Sequence, residues 1–288
     1  MNSKLLIYPT DFSDCAKNAM IYAIAMSKAL KCKIRVVHAV EISSLASTEE
    51  NPDILLYAIK LLEEQAEKKL QKLKEKIETF SLECEYDIVK GRTLFLKEHM
   101  QKLHPFMIVM GTAGKNGLEN RIFGSFAAQT IRNPKSIVLV IPQKAKFNNF
   151  SEIVFATDFH TKDKICLTFM NKITKYYGSR LRVIHVSENF EDLKGEQEKF
   201  SQLEEEITEV ISSHNIHFEL LHGEGAEDKL LELVESSEPD MIALITRKRN
   251  FIERIFEKSL SKKMVNHTNI PVLVFHSSND LFNNLGIT

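Results

Sequence analysis

The chain has 288 residues, about twice the length of an ordinary domain, with 43% hydrophobic and 27% charged residues. Its 38 Lys and Arg balance 39 Asp and Glu, so the net charge of −1 excludes a global pull toward nucleic acid or an anionic membrane. Ten glycines and 7 prolines exclude a collagen-like or low-complexity chain, and no run approaches the roughly 20 apolar residues of a membrane span.

In chain order, short apolar or β-branched runs predict strands over 4–8, 34–38, 85–89, 107–110 and 137–141. Helical patterns lie between them. One covers 14–29, with Ser13 as its N-cap. A second covers 53–80, where Ile59, Leu62, Ala66, Leu70, Leu73 and Ile77 form an apolar stripe that packs on a sheet. Two shorter helices are predicted over 94–102 and 125–132. The strands then return over 153–156, 181–185, 217–221, 241–245 and 272–275.

The return is a repeat. Thr10-Asp11-Phe12 recurs as Thr157-Asp158-Phe159, and Val36-Val37-His38 as Val183-Ile184-His185, both offset by 147. Later, Arg121-Ile122-Phe123 recurs as Arg254-Ile255-Phe256 at offset 133, and Val138-Leu139-Val140 as Val272-Leu273-Val274 at offset 134. Matches in one order argue for one unit written twice, with residues lost inside the second copy. The units are expected over 1–146 and 150–288, joined by a polar linker near 143–150. Apolar strands alternating with helices imply an α/β fold: two five-stranded parallel sheets, each flanked by helices. Ligands of such sheets bind beyond the C-terminal strand ends.

The four cysteines, at 15, 32, 84 and 166, form no CxxC pair and read as free thiols in a reducing compartment. The N-terminal residues carry no signal-like apolar stretch, so a cytoplasmic protein is expected. His214, His217 and His222 lack acidic or cysteine partners at ligand spacing and read as surface residues. His38 and His185 end equivalent strands, as structural groups or facing the cleft. No nucleophile–base arrangement stands out.

Chemistry concentrates after the fourth strand. Gly111 and Gly114 are followed, nine residues on, by Gly124-Ser125 and a helix. Glycines allow close backbone approach, and a helix N-terminus presents free N–H groups to an anion. The run is neither a Walker loop nor a dinucleotide fingerprint, and Gly223-Glu224-Gly225 lacks a third glycine.

This spacing, with Pro9-Thr10-Asp11-Phe12-Ser13 after the first strand, resembles the ATP-binding class of the universal stress protein family. His104-Pro105-Phe106 departs from it where many members carry Asp before the fourth strand. The resemblance implies two tandem Rossmann-like domains of the adenine nucleotide alpha hydrolase type. It implies ATP as ligand, with or without Mg2+. Asp11 would read the adenine beside Pro9 and Thr10, Val40 would line the base pocket, and Met110 and Gly111 would lie near the ribose. Gly114, Gly124, Ser125 and the backbone of Phe126 would cradle the phosphates, with Lys115 and Arg121 as added charge or plain surface residues. It also implies an intramolecular pseudo-dimer through the last strand of each half, with a homodimer open, and a protein partner in a stress response.

The second half keeps Asp158 but has Ala156 for Pro9. Aligning the Arg-Ile-Phe echo puts Glu257 at Gly124 and Lys258 at Ser125, and Thr246 near Gly111, two residues short of the first loop. A glutamate there repels phosphate, so this half is not expected to bind ATP in the family manner. Its basic run Arg247-Lys248-Arg249 would meet solvent, an anion or a partner. A nucleotide-dependent regulator is the expected function. A slow ATP hydrolase and a nucleotide-independent interaction module are the alternatives.

Overall fold

The structure, a computed structural model, describes residues 4–42, 51–91, 93–112, 125–131, 136–188, 191–211, 215–246 and 269–276. The first half runs β1 Lys4–Pro9, α1 Asp14–Leu30, β2 Cys32–Val40, α2 Pro52–Glu78, β3 Cys84–Lys90, α3 Thr93–Lys102, β4 Met107–Gly111, α4 Ser125–Ile131 and β5 Ile137–Ile141. The second runs β6 Glu152–Ala156, α5 Asp163–Tyr177, β7 Arg180–Ser187, α6 Leu193–Val210, β8 Ile216–His222, α7 Ala226–Ser237, β9 Met241–Thr246 and β10 Val272–His276. All ten predicted strands form, each within two residues of its expected limits.

The two expected sheets are one. Their strands run in the order β3-β2-β1-β4-β5-β10-β9-β6-β7-β8. Neighbours within each half are parallel, while β5 and β10 are antiparallel, with Val138 opposite Val274, Leu139 opposite Leu273 and Val140 opposite Val272. All six of these residues are fully buried. Apolar runs such as Ile137–Ile141 and Val272–Val274 are covered on both faces, which is why they read as continuous rather than alternating.

Each face of the sheet carries one apolar layer that crosses the join. One contains α1, α2, α5 and α6 residues, including Ala19, Leu70, Phe169 and Ile207. The other contains Met100 of α3, Ile131 of α4 and Val234 of α7. Along α2, Ala66, Leu70 and Ile77 are buried, so the predicted stripe is the sheet-facing side of that helix.

The linker differs from its polar appearance. Phe150 is fully buried, and Phe147 packs edge-on against Phe150 and Tyr22 of α1. Tyr177 of α5 meets Phe150 at 5.4 Å, and its hydroxyl donates to the Ala25 carbonyl at 2.9 Å. The Asn18 side chain donates to the carbonyls of Pro142 and Ala145. Two phenylalanines among lysines and asparagines thus make a packed joint, because the chain crosses between α1 and α5 rather than over open surface.

All four cysteines are free and buried. Burial pushes the Cys32 and Cys84 thiols up to about 12, away from thiolate chemistry. No described helix is long and apolar enough to cross a membrane.

The joint gives the first prediction. Phe150→Ala should lower unfolding stability by about 3–5 kcal/mol in denaturant titration, the cost of a large core deletion. The exposed neighbour change Lys146→Ala should shift it by no more than about 0.5 kcal/mol.

Candidate functional site

In the first half the chain leaves β1 for β2 and β3 on one side, then returns to β4 and β5 on the other. The order therefore reverses at β1, and the C-terminal ends of β1 and β4 form the switch point beyond which ligands of such sheets bind. Pro9, Thr10 and Asp11 come to it from β1, and Met110, Gly111 and Thr112 from β4. Val40 ends β2 beside them. Its side chain is buried, and its carbonyl accepts from the Gly91 amide at 3.0 Å.

The turn after β1 is held by one device. The Thr10 amide donates to the Val37 carbonyl at 2.9 Å, and His38 Nδ1 donates to the Thr10 carbonyl at 2.7 Å. Thr10 Oγ1 accepts from the Phe12 amide, and Phe12 adopts a left-handed φ of 62°. The Phe12 ring then lies 4.5 Å from the His38 ring. Asp11 sits half-buried at the apex of this turn, its Oδ1 accepting from the Ser13 amide at 3.0 Å. Ser13 Oγ in turn caps α1 by accepting from the Ala16 amide.

The second half repeats the device. The Thr157 amide donates to Ile184, His185 Nδ1 donates to the Thr157 carbonyl at 2.9 Å, Phe159 has φ 58°, and the Phe159 and His185 rings are 4.0 Å apart. The two sequence echoes at offset 147 are thus one structural unit in each half: the threonine–phenylalanine turn and the histidine that anchors it. His38 and His185 are structural groups in it. His185 is further tied by Nε2 to Glu196 Oε2 at 2.9 Å. Burial works against the charge of Glu196, but hydrogen bonds from Lys199 and His185 prevail and hold its carboxyl below the usual range.

The strand register corrects one alignment. Leu6 pairs with Met107 as Ile153 pairs with Met241, so Gly111 corresponds to Ile245 and Thr112 to Thr246. Thr246 is not at the Gly111 position. From Ile245 to Glu257 is twelve positions against thirteen from Gly111 to Gly124, so the second loop is one residue shorter, not two.

Gly111 has a local physical reason. A Cβ there would lie 2.6 Å from Cys15 Sγ and 3.2 Å from the Cys15 carbonyl carbon and oxygen. The first turn of α1 rests directly on the end of β4, and any larger residue there would have to push Cys15 away. In the second half α5 begins at Asp163, which corresponds to Ala16, two residues later than α1 begins. Its contact with β9 is correspondingly weaker, which suits Ile245. There the Thr157 hydroxyl donates to Asp163 Oδ2, which also accepts from the His160 amide, so the turn is bonded to its own helix.

Of the other expected site residues, Met110 is buried in the layer under α3 and α4, and Phe126 packs against the same layer. Ser125 is the first residue of α4. Gly114, Lys115, Arg121 and Gly124 lie outside the described residues, as do His214, Arg247–Arg249, Arg254, Glu257 and Lys258. His217 and His222 are exposed, and among the described residues no His, Cys, Asp and Glu group has metal-binding geometry.

One neighbour was not legible. His276 ends β10, in the second half, and hydrogen-bonds the backbone of Ile131 at the end of α4, in the first. Burial holds its pKa below the ordinary value despite that bond.

The universal stress protein family model matches residues 2–142 and again 149–276. The chain belongs to the universal stress protein family. It is a tandem member, with two copies of the family unit. A universal stress protein of Methanocaldococcus jannaschii is 29% identical over 144 residues, which is 50% of this chain and 84% of that protein. The solved universal stress protein of Archaeoglobus fulgidus has TM-score 0.69 at 17% identity and covers 96% of this chain and 100% of its own. A putative universal stress protein of Pseudomonas aeruginosa has TM-score 0.63 at 10% identity, covering 99% of this chain and 96% of its own. At these identities the two structures show the fold.

Two predictions follow from the packing of this universal stress protein. Gly111→Ala should destabilise it by about 1–3 kcal/mol in thermal or denaturant unfolding, with partial rescue by Cys15→Ala, since the backbone contact persists. The second concerns pH. The folded-state pKa of His276 lies below its unfolded value, so its contribution is present above the unfolded value, about 6.5, and is lost as pH falls through the folded value. A melting-temperature series from pH 7.5 downward should decline less for His276→Gln than for the parent chain.

Proposed function

We propose that the first half binds ATP at the β1/β4 switch point, and that the chain acts as a nucleotide-responsive regulator in a stress response. The observation that carries this reading is Asp11, a carboxylate held at the switch point by the Thr10, Phe12 and His38 device. A carboxylate there accepts from the exocyclic amine of adenine, and the buried Val40 at the end of β2 supplies an apolar neighbour for the base. Thr10 and Pro9 shape the turn, and Met110 and Gly111 end the strand beside the ribose. Gly114, Gly124, Ser125 and the backbone of Phe126 would receive the phosphates, with Mg2+ as a companion if the triphosphate brings it. ATP supplies binding energy and negative charge, and the protein's part is to hold it and present a different surface around the site.

The second half argues the same point by contrast. Ile245 replaces Gly111, Ala156 replaces Pro9, and the Thr157 hydroxyl is engaged by Asp163. We therefore assign one nucleotide to each chain.

Isothermal titration of the full chain with ATP tests this. Binding of about one ATP per chain is expected, weakened about tenfold or more by Asp11→Ala and abolished by Gly124→Glu. Asp158→Ala should leave it unchanged. Two equivalents per chain, or unaltered affinity in Asp11→Ala, would overturn the reading.

A further inference from the structure

The helix α2 is apolar on two sides. Its inner side, with Ala66, Leu70 and Ile77, faces the sheet. Its first three turns carry a second stripe on the opposite side: Ile54 (52% exposed), Tyr57 (70%) and Leu61 (44%). These positions follow the three- and four-residue spacing of a helix-pairing seam. Eleven large hydrophobic residues are exposed among the described residues, and four of them, with Leu56, fall in this eight-residue stretch. Scattered exposed apolar residues are ordinary, but a stripe of them along one helix face is not. Beyond Leu61 the same stripe turns polar, with Glu64 and then Lys68.

The flanks of the stripe identify the occupant. Asp53 and Lys60 lie on one flank, seven residues apart, and the neutral Ala58 and Gln65 lie on the other. If a second α2 packs antiparallel, Ile54 meets Leu61 of the partner and the two Tyr57 rings meet near the axis. Like flanks then face each other, so Asp53 of each copy opposes Lys60 of the other, twice by symmetry. Glu64 then falls by the partner helix's N-terminus, at its positive dipole end. A parallel pairing would set the charged flank against the neutral one and gain none of this. The antiparallel β5–β10 ladder already joins the two halves within one chain, so neither strand presents an edge to a second copy.

We propose that the outer face of α2 is a homodimer seam, occupied by α2 of a second copy of this chain in antiparallel, two-fold symmetric packing. The seam is independent of the nucleotide reading.

Sedimentation of the full-length chain over a concentration series tests it. A monomer–dimer equilibrium is expected. Leu61→Glu should weaken dimerisation about tenfold or more, with the circular dichroism spectrum and melting temperature retained because the side chain faces outward. Asp53→Lys and Lys60→Asp should each weaken it about threefold, and the double variant should recover the parent affinity. A monomer at every concentration, a dimer indifferent to Leu61→Glu, or a double variant no stronger than its single parents would each overturn the proposal.

Discussion

The antiparallel ladder between β5 and β10 is the constraint on which everything else rests. Three residue pairs, all aliphatic and fully buried, turn two five-stranded sheets into one of ten. Once that ladder forms, the helices of both halves must share two common apolar layers, one on each face. The aromatic joint follows from it. The chain must pass from the end of β5 to the start of β6 over the seam between α1 and α5, and Phe147, Phe150, Tyr22 and Tyr177 fill that space. A buried edge also removes the hazard of an unpaired strand at the middle of the molecule.

Within each half the site depends on a short chain of hydrogen bonds. A histidine on the second strand bonds the carbonyl of a threonine after the first, the threonine hydroxyl bonds a phenylalanine amide, and that phenylalanine takes a left-handed conformation under the histidine ring. A non-glycine residue in that region carries a local cost, which persists only where surroundings fix it. Here the fixed conformation carries an aspartate to the apex of the turn in both halves.

Much of this was legible in the sequence. Strand limits were clear because buried parallel strands are uninterrupted apolar runs, and the repeat was clear because its matches keep their order. Val-x-His and Thr-Asp-Phe were visible as separate echoes, but nothing in their spacing says that the histidine bonds the threonine. That contact spans 28 residues and is made only when β1 and β2 pair. The register at Gly111 is one position off in the sequence alignment, since Thr246 lies at offset 135 from Gly111 while the paired strands on that side keep 134. The joint looks polar in the sequence because composition averages the buried Phe150 and half-buried Phe147 with their exposed lysine and asparagine neighbours. His276 was silent, since its partner Ile131 lies in the other half.

Because all strands within a half are parallel and the halves meet antiparallel, the C-terminal strand ends of the two halves lie at opposite ends of the sheet. In a dimer of identical single units those ends would be interchangeable. Here Pro9 and Gly111 stand at one end and Ala156 and Ile245 at the other. The molecule therefore has a head and a tail. Anything that recognises one end can orient the whole chain, leaving the other free to be read differently.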